Sequence, residues 1–501
     1  MSDVVLGPPP IHAPGRHRAP VVVDPAPRRL IALAVAAAFV LQLGLRGGVR
    51  NLVVVAGIAL VVVVLLADGR TRRREAKLLA AAAFVPAAFL AVWESLWLAA
   101  SNLAVAGMLL TAAVLYSRSG SVFDATPGRM LARGLAALER GIAGLVVVRA
   151  IAPRLDPTTR DRAARVGLAL LISLPVLGVL VALLAAGDAV FASFLTADVS
   201  AGPVGGHVLL TLLLVPAVLV VGVAASAPVT DRPRGGGFGV LEVATMLGLA
   251  AVVLGLFVVS QLVALTDAGD RLVTSAGLTP AEYARSGFFQ LCWAAGLLLG
   301  FLALVRAVAA PDTLDRPLVR GLGALVPTLA LGLVVVSLRR MAIYDEAFGL
   351  TMLRLWVVGA AVWMALVLAM AVVRNASSRS DRSWLVAGAG AAAVALVLVA
   401  DVVGPEGFVA RHNIDRAGDG AALDVAYLTR LSDDAVPAIA EAIDEVDDPW
   451  VRAQLLAGLR CDVDREGAAA LNVSAARAAE VRADLQPEIE STVGLGYCLR
   501  P

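Results

Sequence analysis

Long apolar runs separated by short polar segments set the pattern of this chain. They fall at about 30–45, 51–67, 78–100, 102–116, 166–186, 206–228, 240–266, 283–306, 320–338, 351–373 and 384–403. An α-helix needs roughly 20 predominantly apolar residues to cross a hydrocarbon core, so the pattern predicts about eleven spanning helices. The run at 102–116 is short, and only Ser101 and Asn102 part it from 78–100. That spacing predicts a helical hairpin turning at those two residues.

The two ends of the chain follow other patterns. Residues 1–29 are polar, basic and rich in proline, a composition that builds no core and predicts disorder. Residues 404–501 contain no run long enough to span. From Glu406 onward they hold 18 Asp/Glu against nine Arg. Helix-start signals recur there. Ser432 precedes Asp433 and Asp434 in a first turn, and Asp448 precedes Pro449. Val451, Leu455, Leu456 and Leu459 then repeat on one face, with further helices expected around 423–431 and 475–485. The predicted fold is all-α, a polytopic transmembrane helical bundle with a small C-terminal soluble helical domain. Its parts are a basic tail at 1–29, N-terminal transmembrane helices at 30–116, a loop at 117–165, a core transmembrane domain at 166–403 and an acidic helical domain at 404–501.

Charge orients the predicted bundle. With the N-terminus inside, the inner segments hold 26 Arg/Lys and the outer loops before the tail hold seven. This bias is the one that sets membrane topology, and it places residues 404–501 outside. In the loop 117–165, Arg129, Arg133 and Arg140 share a helical face beside apolar residues. Two readings stand, a basic amphipathic helix on the anionic inner leaflet and a helix packed under the bundle. Over the 501 residues, 59% are hydrophobic and 16% charged, with a mean hydropathy of +0.83. No soluble domain hides that much apolar surface. A net charge of +2 implies no nucleic-acid partner. Lys77 is the single lysine, and with so much Ala, Val, Leu and Gly this points to a GC-rich bacterial genome. The expected location is the bacterial cytoplasmic membrane.

Candidate chemistry gathers in two outer-interface stretches. In 277–289, Thr279, Pro280 and Glu282 form a helix start, and Glu282 and Arg285 are neighbours on one face. In 337–356, Arg340 and Tyr344 share a face, and Asp345 and Glu346 are placed to neutralise Arg339, Arg340 or Arg354. The cluster Glu282, Tyr283, Arg285, Arg339, Arg340, Tyr344 and Arg354 reads either as an ion-pair network that sets helix packing or as a pocket for an anionic headgroup, since guanidinium matches phosphate and carboxylate. Glu94 falls inside the run 78–100 and is a candidate intramembrane acid; hydrogen bonding to Ser95, Ser101 or a neighbouring helix is the plainer reading. Cys461 and Cys498 both fall in the outer domain, where a disulfide is chemically allowed, and Cys292 sits in a span. Histidines at 12, 17, 207 and 412 have no metal-ligand spacing. No nucleophile elbow, zinc-protease motif or dinucleotide fingerprint occurs, so neither metal nor cofactor is expected.

The segments GLTPAEYARSGFFQL and LRRMAIYDEAFGLTMLRLW resemble the paired signatures of a bacterial polytopic family described as domains of unknown function 4153 and 4173. Residues 188–191 after an apolar span, and ALDVAYLTRLSDDAVPAI at 422–439, follow the same pattern. The resemblance covers roughly residues 165–485. Its motif positions correspond to Glu282, Tyr283, Arg285, Gly287, Phe288, Phe289, Arg339, Arg340, Met341, Tyr344, Gly349, Leu350, Thr351 and Arg354. It implies an architecture and assigns no catalytic residue.

Three functions follow as expectations. The first is a structural or signalling component of the cell envelope whose outer domain engages an envelope protein. The second is a transporter of a small solute or lipid, motivated by Glu94 and Gln261 within apolar runs. The third is an envelope enzyme acting on a lipid-linked substrate at the Arg/Glu/Tyr cluster. The lipid bilayer is the partner common to all three.

Overall fold

The computed structural model describes residues 28–46, 48–66, 71–126, 238–264, 294–306, 312–376, 384–418, 420–443, 448–459 and 471–493, with 129–130, 133–134, 309–310 and 446 beside them. Apolar stretches of Ala, Leu, Val and Gly have two ways to satisfy their backbone in hydrocarbon, a helix or a closed barrel. The described residues take the first. Their regular structure is helical apart from one isolated bridge between Phe238 and Ala309.

The membrane part begins with a hairpin of α1 (Arg28–Arg46) and α2 (Leu52–Leu66). Small residues bring these helices close. A Cβ added at Gly44 would meet the backbone nitrogen of Val54 at 2.6 Å, and one at Gly57 would meet Leu41 at 2.6 Å. Asn51 closes the turn, donating to the carbonyls of Gly44 and Gly48 and accepting from Val54 N–H. A second hairpin follows. α3 (Arg74–Ala82) and α4 (Phe84–Ala88) lead into it, and α5 (Leu96–Leu115) returns. A further group comprises α6 (Val240–Ala264), α7 (Ala294–Arg306), α8 (Pro317–Phe348) and α9 (Met352–Ala376). These share a core of Val243, Leu302, Val326, Val334, Ala361 and Leu368. α10 (Leu385–Val403) completes the set.

Five of these helices, α5, α6, α8, α9 and α10, are long and apolar enough to cross a membrane. At 1.5 Å per residue, the 20 residues of α5 cover about 30 Å. α1, α2 and α7 are apolar but shorter. The predicted runs at 166–186 and 206–228 lie outside the described residues, as does the first half of 283–306.

The structure moves two predicted boundaries. α5 runs unbroken through Ser101 and Asn102. The chain instead turns at residues 92–95, so Glu94 lies between two helices rather than within one. α8 also outruns its apolar stretch. It continues to Phe348 and carries Arg339, Arg340 and Tyr344 as helical residues.

Among the described residues, the C-terminal part comprises the α-helices α11 (Pro405–Gly418), α12 (Val425–Leu428), α13 (Val436–Ala442), α14 (Pro449–Leu459) and α15 (Val473–Val493). The expected caps are present. Ser432 accepts from Asp434 N–H at 3.4 Å, and Asp448 accepts from Trp450 N–H at 2.8 Å. The core joins Val409, Ile414, Leu428, Ile439, Leu455, Leu456 and Ile489, and it takes in Leu350 and Met352 from the α8–α9 turn. A buried pair between Arg482 and Asp433 at 2.7 Å ties α15 to the start of α13.

Candidate functional site

The polar chemistry of the described residues concentrates where the C-terminal helices meet the turns of the bundle. The first meeting point is the α8–α9 turn. α8 ends at Gly349, whose φ of +72° suits a residue without a Cβ. Asn413 of α11 reads the next residue on both sides. It accepts from Leu350 N–H at 2.9 Å and donates to the Leu350 carbonyl at 2.8 Å. His412 contacts Asp345 at 3.1 Å, and Arg416 donates to the Glu346 carbonyl at 2.6 Å. Tyr427 Oη accepts from Met352 N–H at 2.8 Å, and burial pushes this phenol above its ordinary range.

The sequence cluster is only partly assembled here. Arg354 lies 4.3 Å over the Tyr344 ring and donates to the carbonyls of Gly349 and Phe348. Tyr344 packs against Phe348 with centroids 4.8 Å apart. Asp345 turns to His412 of the C-terminal part rather than to a nearby arginine. Glu282, Tyr283 and Arg285 lie outside the described residues, as do Cys292, Cys461, Cys498 and Arg140. Arg133 does not lie on an exposed face. It is 4% exposed, sits 4.8 Å over the Tyr116 ring and donates to the Ser119 carbonyl at 2.7 Å.

The second meeting point is the turn at 92–95. The carboxylate of Asp434 accepts from the backbone N–H groups of Glu94 at 2.7 Å and Ser95 at 2.8 Å. It thereby fixes the entry to α5, taking up the N–H of its N-cap residue Ser95, one of the groups at a helix start that lack an intrahelical acceptor. Asn472 donates to the carbonyls of Trp93 and Arg50, and Leu52 N–H donates to the Leu471 carbonyl. Glu94 pairs with Arg50 at 3.3 Å. Burial is the largest influence on Asp434. It outweighs hydrogen bonds from Ser474 and the turn and raises the carboxyl from 3.8 to about 6.

A third feature lies beside these, inside the bundle. Asn102 Nδ2 of α5 donates to Asp401 Oδ1 of α10 at 2.7 Å. Both side chains are buried. Trp93 Nε1 donates to the Asp401 carbonyl at 2.9 Å. The sequence reading passed over Asp401 because it stands two residues from the end of an apolar run, where an acid reads as a boundary.

At the opposite end of the bundle, Arg72 and Arg73 N–H groups donate to the Ser117 carbonyl, and Glu75 holds Ser121 and Val122. Arg306 donates to Asn375 Oδ1 at 2.7 Å. Among the described residues, one end thus carries Arg72, Arg73 and Arg306, and the other carries the C-terminal helices. Among the described residues no three His, Cys, Asp or Glu side chains gather as a metal site.

Residues 78–442, well over half of the chain, match the family described as a domain of unknown function, DUF4153. The chain belongs to the DUF4153 family. The match begins earlier and ends earlier than the resemblance at 165–485. It takes in the 92–95 turn, Asp401, Asn413 and Asp434, and it stops before α14 and α15. The DUF4153 chain matches no curated protein and no solved structure. Membership and the apolar helices together make this a membrane protein of unknown function.

Proposed function

We propose that this DUF4153 protein is a multi-pass component of the bacterial cytoplasmic membrane that displays its C-terminal helices outside, as a structural or signalling element of the cell envelope. The arginine bias supports this orientation, since 26 basic residues fall to the loops on the inner side and seven to the outer loops. The supporting observation is the seam itself. Asp434, Asn472 and Asn413 fasten the C-terminal part to three separate turns of the bundle through backbone groups. A domain held that firmly transmits a load or a signal between its free surface and the helices below. Trp450, 69% exposed at the start of α14, is an anchor suited to a protein partner. A photo-crosslinker at position 450 in the full chain tests the reading. One reproducible envelope protein captured from cells is the expected result, and crosslinks to lipid alone overturn it.

A transporter reading draws support from the buried Asp401–Asn102 pair rather than from Glu94, which sits in a turn. Unchanged solute uptake in Asp401→Asn cells would remove that support.

A further inference from the structure

Asp401 is 1% exposed and Asn102 is 0% exposed, on helices that otherwise present apolar side chains to each other. One hydrogen bond joins them, from Asn102 Nδ2 to Asp401 Oδ1 at 2.7 Å. The remaining oxygens, Asp401 Oδ2 and Asn102 Oδ1, have no hydrogen-bond partner among the described residues. Two acceptors cannot satisfy one another, and an orphaned buried polar atom is costly. An ionised carboxylate there would be costlier still without a cation against it.

The elements packed around Asp401 offer few charges. α5 carries no ionisable residue, and α10 carries only Asp401. α9 has Arg354 and Arg374 at its two ends, and the 122–124 turn has Asp124 at the far end of the bundle. Past the end of α10 lie Glu406 of α11, Asp434 and Glu94. Of the basic groups on the described elements there, Arg50 is ion-paired with Glu94, Arg411 with Glu441 and His412 with Asp345, and Arg416 donates to the Glu346 carbonyl. Glu406 accepts from Ser432 N–H at 2.5 Å.

One hydrogen resolves the arrangement. We infer that Asp401 and Asn102 form a proton-binding site, in which Asp401 carries a proton on Oδ2 and donates it to Asn102 Oδ1. The pair then closes a ring of two hydrogen bonds, a carboxylic acid facing a carboxamide. Loading the site takes one proton from water onto a carboxylate oxygen and cancels one charge; no oxidant or reductant takes part. The site holds a proton whether or not the chain moves a solute, so it stands apart from the envelope-component reading.

Infrared spectroscopy of the full chain in lipid nanodiscs at neutral pH tests it, comparing the wild type with Asp401→Asn. The expected difference is a protonated-carboxyl carbonyl band, worth one group per chain, present in the wild type and absent from the variant. Carboxylate bands in its place overturn the inference. Asn102→Leu provides a second reading if Asp401→Asn does not fold. There the carboxyl band should persist and shift, because its hydrogen bonds are gone; an unmoved band overturns the pairing. Exchange of choline for sodium should leave the band unchanged. Its sodium-dependent replacement by carboxylate bands would make this a cation site and overturn the proton reading.

Discussion

At the residue scale, the seam depends on side chains that imitate backbone. Asn413 accepts from and donates to Leu350 as a neighbouring strand would. Asn413→Ala leaves both of those partly buried backbone groups without a partner, a cost of about 1–3 kcal/mol for each group left unpaired. The expected outcome is a lower melting temperature in detergent, with Asn413→Asp recovering little because it cannot donate to the Leu350 carbonyl. Asp434 makes a pH-dependent prediction. Its folded pKa, about 6, lies above its ordinary 3.8, so the folded chain holds this proton more tightly than the unfolded chain. The resulting stabilisation is fully present below about pH 4, falls as pH rises and is lost above about 6. Two pH units correspond to about 3 kcal/mol. Thermal melts of wild type and Asp434→Asn across that range should show the wild type's advantage shrinking as pH rises; parallel curves would refute it. The sequence revealed little of this. Asp345 and Glu346 stand near Arg339, Arg340 and Arg354 in the chain, and helix spacing favours those partners. Their actual partners, His412 for Asp345 and Arg416 for the Glu346 carbonyl, stand about 70 residues on and become neighbours only when α11 folds back over the turn.

At the element scale, hydropathy located several helices together with their ends. The run 51–67 became Leu52–Leu66, 351–373 became Met352–Ala376 and 384–403 became Leu385–Val403. In each case the apolar stretch ends where the chain must meet water or a polar partner. The failures are at 78–116 and at the end of α8. Apolar residues flank the 92–95 turn on both sides, and the groups that satisfy its backbone come from Asp434 and Asn472, more than 300 residues away. α8 extends to Phe348, and in its last turns Asp345 meets His412 of α11 and Tyr344 lies under Arg354. Gly349 makes the element-scale prediction. A Cβ there would meet Asn413 Oδ1 at 2.5 Å and Arg416 Nη1 at 2.7 Å, on a backbone with φ of +72°. Gly349→Ala should therefore strain the turn, by about 1–3 kcal/mol, and loosen α11 from it. Faster proteolysis within 404–424 in the variant is the expected sign, and an unchanged digestion pattern would show that the turn does not hold α11.

At the scale of the whole molecule, the decisive question is which side of the membrane each end faces. The contacts already group the parts. The turns at 48–51, 92–95 and 349–351 all bond to the C-terminal helices, so they share its side. Ser117, Ser121 and Val122 bond to the 72–75 segment at the other end of the 20-residue α5. A helix of about 30 Å separates the two groups, close to the thickness of a bilayer core. The proposed orientation rests on the arginine distribution, because Arg and Lys accumulate on the cytoplasmic face. Single cysteines in a chain with Cys292, Cys461 and Cys498 replaced by serine read this directly. Glu441 and Asp124 are exposed positions at the two ends. A membrane-impermeant maleimide should label Glu441→Cys in intact cells and Asp124→Cys only after permeabilisation. The reverse pattern would keep the architecture, turn the C-terminal helices toward the cytoplasm and move the search for a Trp450 partner to cytosolic proteins. Equal labelling of both in intact cells would mean that α5 does not separate two compartments, and the spanning arrangement itself would fall.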